Sequence, residues 1–188
     1  MFRKGKQRIN MHFLIQYEEQ VLTPYSWISQ ADELITASKK LEPSIKKYWE
    51  TAKNNLRNGV YSPPPGFKPK RLLQSTYFML VAYAIENYLK AILIANSEAA
   101  YRSELRQTGR LRTELKTSDH NLVKLAEKSK FVFTNIELSL LSRLHRNSLW
   151  QGRYPVPAKA DQLSPTVIHN GKVLFTPYLS PEDINNLT

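Results

Sequence analysis

Arg143, Arg146, Trp150 and Arg153 follow one another at spacings of three and four residues. At 100° per residue on a helix they fall within about 80° of arc. Guanidinium groups suit bidentate contact with phosphate oxygens, Trp150 or Tyr154 can stack on a base, and Asn147 adds an amide to the same stretch. The competing reading makes Trp150 and Tyr154 core anchors, with one of the arginines answering Glu86 across the fold. Glu86 and Lys90 form a second constellation. They are four residues apart, some 40° around a helix, and Met79, Tyr83 and Leu93 share their face. A charged pair framed by apolar neighbours predicts burial, with an architectural role ahead of a catalytic one.

The remaining chemistry is sparse. His12, His120, His145 and His169 are scattered without a ligand pattern, so no metal site is expected. His120 stands at a predicted helix start, where a capping or core hydrogen-bonding role is expected. His145 lies about 160° from Arg143 and about 100° from Arg146 on a helix, so it does not point into the same cleft. There is no glycine-rich phosphate loop and no Gly-x-Ser-x-Gly elbow, which removes common ATPase and hydrolase readings, and no cofactor is expected.

The elements that must hold these groups are mostly helices. Residues Tyr25 to Asn55 are helical in composition, with Ser29 as a cap and Pro43 dividing the run in two. The connection from Arg57 to Arg71 carries Gly59, Pro63-Pro64-Pro65-Gly66 and Pro69, which no helix or central strand crosses. Arg71 to Asn96 reads as a long apolar helix. Its length approaches that of a membrane span, but Glu86, Asn87 and Lys90 at its centre are costly in lipid and make it a core helix. Residues 97–117 read as a solvated, partly helical excursion with Arg102, Arg106, Arg110, Arg112 and Lys116, broken at Gly109. Ser118 or Asp119 is then expected to cap a short helix through Lys130. Thr134-Asn135-Ile136-Glu137 has the spacing of a capping box and opens a helix ending near Gly152. Asn170-Gly171, between Thr166–His169 and Lys172–Phe175, signals a two-residue hairpin. Ser180-Pro181-Glu182-Asp183 has the form of a further helix start. The expected architecture is an all-α antiparallel helical bundle with a small C-terminal β-hairpin. It divides into a basic N-terminal arm (1–24), the bundle (25–160) and a hairpin-containing extension (161–188).

Lys and Arg number 27 against 16 Asp and Glu, a formal charge of +11, which favours a polyanionic partner. The chain contains no cysteine, which excludes disulfide frameworks, thiol catalysis and Cys-rich zinc sites. Arg3, Lys4, Lys6 and Arg8 precede an apolar stretch that is too short for a signal peptide and runs into Glu18 and Glu19, so a cytoplasmic protein is expected.

Three segments together resemble the HEPN family, the higher eukaryotes and prokaryotes nucleotide-binding helical domain. They are Ala84-Ile85-Glu86-Asn87-Tyr88-Leu89-Lys90, His120-Asn121-Leu122-Val123-Lys124-Leu125, and the stretch from Arg146 through Trp150-Gln151-Gly152-Arg153-Tyr154-Pro155. The resemblance covers roughly residues 71–157. It implies an antiparallel bundle that dimerises with the last-helix motifs of two subunits facing across a cleft. In active members that motif is Arg, commonly a polar residue, then His after four to six intervening residues, serving metal-independent RNA cleavage. Arg146-Asn147 matches its beginning, but Gln151, Gly152 and Arg153 stand where the His belongs. Gln151 does not titrate near neutrality, as acid–base cleavage of RNA requires. The resemblance therefore implies a non-catalytic homodimer that binds RNA, a nucleotide or another phosphate-bearing ligand in a prokaryotic defence or stress setting. The alternatives are a divergent ribonuclease or toxin using Arg146 and Asn147 with His120 or His145 as base, and a regulatory protein partner in a two-component toxin–antitoxin system.

Overall fold

A computed structural model of the chain describes residues 11–59, 73–111, 115, 121–151, 166–169, 172–175, 179, 183–184 and 187. The described part is dominated by helices: α1 (Met11–Val21), α2 (Pro24–Lys39), α3 (Glu42–Arg57), α4 (Gln74–Thr108), α5 (Leu122–Lys128) and α6 (Asn135–Arg146). A π-helical turn, Asn147–Gln151, continues α6.

Prolines set the first boundaries. α2 starts at Pro24 after an extended Thr23, not at Ser29 as expected, because proline at the first helical position has its φ preset and no N–H to satisfy. Pro43 acts the same way in the first turn of α3, so the division expected there occurs. Residues 11–24, read from sequence as part of an arm, contain α1, and its end enters the core through Val21 and Leu22.

α4 is the central element and packs against α2, α5, α6 and the π turn, most extensively against α2. By length and composition it could cross a membrane, although 56% of its most apolar window is buried within the protein. Phe78, Val81, Ala82, Leu89, Leu93 and Ile94 form its core face. The helix does not stop near Asn96. Ser97 leaves helical geometry at φ −148° and ψ 27°, and the chain then resumes its helix to Thr108. Residues 97–108 are thus not a solvated excursion: Tyr101 and Leu105, one turn apart, are 5% and 0% exposed and extend the apolar face past the bend. Gly109 ends α4 in the left-handed region at φ 66°, donating its N–H to the Leu105 carbonyl at 2.7 Å.

Asn121, not Ser118 or Asp119, caps α5, its side chain accepting from the Lys124 N–H at 3.0 Å. α5 presents Leu122, Leu125 and Ala126 to the core and ends at Lys128; Lys130 follows at φ 63°, a left-handed stop. α6 opens with the expected capping box: the Glu137 N–H donates to Thr134 Oγ1 at 3.3 Å, and the Thr134 N–H donates to Glu137 Oε2 at 2.7 Å. That backbone bond, reinforced by the Thr134 hydroxyl, holds the Glu137 carboxyl below its ordinary value. A Thr134→Ala variant is expected to lose about 0.5–2 kcal/mol, measured as a shift in the urea midpoint. Leu140, Leu141 and Leu144 carry α6 into the core, where Ile45 of α3 and Leu179 and Ile184 from the C-terminal region join them.

Candidate functional site: a buried ion pair and the basic end of α6

The 3.6-residue period of α4 puts Glu86 and Lys90 on one side of the helix, facing inward. Lys90 Nζ donates to Glu86 Oε1 at 2.6 Å, and the two side chains are 1% and 6% exposed, so the pair is buried as expected. Lys90 Nζ also stands 5.3 Å from the centre of the Trp27 ring on α2, a cation–π contact. Trp27 is fixed in turn by its Nε1–H, which donates to the Val21 carbonyl at 2.9 Å. The charged centre therefore ties α4 to α2 and to the end of α1. One turn before Glu86, Tyr83 approaches the Ser148 carbonyl of the π turn at 3.5 Å, linking α4 to the end of α6.

The last turn of α6 concentrates Arg143, His145 and Arg146. Cations there complement the negative end of the helix dipole, so the cluster has a structural rationale beside any ligand. Arg143 is mostly buried. Its Nη1 donates to Ser139 Oγ at 3.0 Å, its Nη2 pairs with Asp183, and its Nε has no hydrogen-bond partner. Arg143 is thereby tied to the C-terminal region. Arg146 is partly buried. Asn147 is 4% exposed with Oδ1 lacking a hydrogen-bond partner.

The helix expected to end near Gly152 does continue to Gln151, but it is α-helical only to Arg146. From Asn147 the backbone adopts i→i+5 bonding, which widens the turn, so Trp150 no longer holds the angular position that a 100° step assigns it relative to Arg143 and Arg146. The backbones of Trp150 and Gln151 belong to that turn. His120, Arg153 and Tyr154 lie outside the described residues. The structure thus brings Arg143, Arg146 and Asn147 together on α6 and its continuation, and joins Glu86 to Lys90 on α4.

Sequence reasoning missed a second charged centre. Glu18 of α1 is 3% exposed and receives Arg102 and Arg106 from the far half of α4, with Arg106 Nε at 2.8 Å from Oε2 and Arg106 Nη2 at 2.9 Å from Oε1. The Arg106 hydrogen bond is the largest influence holding the Glu18 carboxyl below its ordinary value, with Arg102 acting in the same direction against the effect of burial. The arginines lean on solvent at their outer sides, 34% and 61% exposed. Arg102 and Arg106 are one turn apart beside Tyr101 and Leu105, a periodicity that could have disclosed the helix. Nothing local to Glu18 announces its partners.

Among the described residues, no group of three His, Cys, Asp or Glu side chains could hold a metal ion. A shallow depression of about 430 Å³ lies between α4 and the α5–α6 connection, lined by Ile92, Ala95, Asn96, Ser129, Lys130 and Phe131. Beside it Phe131, Val132 and Ile136 are exposed. Neither family models, curated proteins nor solved structures give a match to this chain.

Proposed function

We propose that this chain is a HEPN-like, non-catalytic protein of the cytoplasm. In this reading it binds RNA or another phosphate-bearing ligand through the basic end of α6, as a homodimer in a prokaryotic defence or stress setting. The observation that carries the reading is the placement of Arg143, His145 and Arg146 in one helical turn of a chain with net charge +11. The Glu86–Lys90 pair belongs to the first segment that carries the resemblance, and its burial at the centre of α4 supports the architectural role expected from its apolar neighbours. Gln151, in place of the histidine that would transfer a proton, favours binding over cleavage. The C-terminal hairpin belongs to the same reading. It is supported by antiparallel register from Thr166 opposite Phe175 to His169 opposite Lys172, around Asn170-Gly171, residues suited to a type I′ turn.

The test is a titration with single-stranded RNA across ionic strength. Log affinity should fall with log salt at about 0.7 per neutralised phosphate, and Arg146→Gln should flatten the slope by about 0.7. Binding that is undetectable at low salt would refute the proposal. Incubating the same RNA with the protein in chelator separates binding from cleavage: intact RNA is expected, and fragments whose appearance depends on Arg146 would establish the divergent ribonuclease instead.

A further inference from the structure

A guanidinium grips a phosphate or carboxylate best through two parallel N–H groups on one edge, and the edge formed by Nε and Nη2 is one such fork. On Arg143 only half of that edge is used: Nη2 pairs with Asp183, while Nε is buried with no acceptor. A buried donor left unmet is costly, so a second acceptor on this edge would be favourable. Its other terminal nitrogen is already spent on Ser139, which fixes the plane of the group.

Asp183 reaches the site from the C-terminal region. Leu179 and Ile184, 8% and 0% exposed, seat that region in the core, and the Gln74 amide at the start of α4 donates to the Leu179 carbonyl at 3.1 Å. Asp183 itself is 6% exposed. Its carboxylate stands where an anionic oxygen of a ligand would stand.

We infer that Arg143 is a phosphate-binding residue whose site is held by Asp183 as an intramolecular stand-in, so that polyanion binding requires the carboxylate to yield. The inference rests on the RNA-binding reading above and adds the regulation of that site. A phosphate with two oxygens available would engage Nε and Nη2 together, satisfying the donor that Asp183 leaves unmet.

The test compares the full-length wild type with Asp183→Asn, using a single-stranded RNA oligonucleotide as probe and circular dichroism to verify folding. The amide keeps the size of the side chain and removes its charge. Affinity should tighten by about three- to tenfold, and the salt slope should steepen by about 0.7, one further phosphate on a single strand. Adding Arg143→Lys, which lacks the fork, should abolish the gain. Equal affinity and slope in the wild type and Asp183→Asn would overturn the inference while leaving RNA binding intact; no binding by either protein would overturn both. Should Asp183→Asn fail to fold, the wild type decides alone. The Arg143 Nε–H resonance, assigned by its loss in Arg143→Lys, must shift as RNA saturates the protein, and an unmoved resonance defeats the inference.

Discussion

Replacing Lys90 with Met should lower unfolding free energy by about 3–5 kcal/mol, because the Glu86 carboxylate stays in the interior after losing the ammonium that neutralises it. Methionine nearly matches the lysine stem in length, so the loss reports charge and not a cavity. Part of it is the contact with Trp27, since a cation over an indole face contributes about 0.5–2 kcal/mol and a thioether replaces it incompletely. The double variant Glu86→Leu/Lys90→Met separates these contributions. With both charges gone it should recover most of the loss and can exceed the wild type by about 1–4 kcal/mol, as buried ion pairs replaced by apolar side chains often do. Urea midpoints for the three proteins provide the measurement. A single variant costing under about 1 kcal/mol would mean that the pair behaves as a solvated surface bridge. The folded double variant should also bind RNA as the wild type does, since the pair is assigned to architecture.

The largest pH effect is expected at Glu18. Its carboxyl is held below the ordinary carboxylate range by Arg106 and Arg102. A lowered folded-state value means that the contribution is present above the unfolded carboxylate value and is lost as pH falls through the folded one. Wild-type stability should therefore decline on acidification in that window. Changing both Arg102 and Arg106 to Met leaves Glu18 without these cations, and the variant should be less stable than the wild type near neutrality. Burial alone then raises the carboxyl, so the sign inverts: this variant should regain stability as the pH drops and Glu18 takes up a proton. Urea midpoints from neutral pH to about pH 2, well below the ordinary carboxylate value of about 4.3, give both curves. Parallel curves would show that Glu18 is not the group responsible.

What could be read from the chain was whatever its physics kept local. Thr134 and Glu137 are three residues apart and cap each other, so their types and spacing suffice. Glu86 and Lys90 share a turn of α4, and the apolar residues around them already imply burial. Gly109 ends a helix because it takes a left-handed φ without a Cβ clash. Interactions between distant segments left no such trace. Glu18 and Arg106 are 88 residues apart, and Arg143 and Asp183 are 40 apart. Read singly, Glu18 ends a short apolar stretch, Arg102 and Arg106 decorate a charged one, and Asp183 stands two residues after a proline. The half of α4 beyond Ser97 was missed because charge outweighs large apolar residues there, while two side chains at helical spacing, Tyr101 and Leu105, are enough to anchor it. The π turn was missed for another reason: fixed 100° steps contain no allowance for a widened loop of backbone, so the proposed alignment of Trp150 with Arg143 and Arg146 depended on an α-helix that ends at Arg146. The basic cluster at that end was legible, but its intramolecular counter-ion was not.

The break at Ser97 matters for how a rod fits inside a globule. As an unbroken cylinder, the 35 residues of α4 would measure about 52 Å from tip to tip. A compact chain of 188 residues has a radius of gyration of only about 16 Å. A straight rod would overshoot such a body and strand its last turns in water. Yielding at a single residue lets the distal portion follow the curvature of the interior, and one continuous stretch of chain thereby serves as both the axle and the rim of the fold.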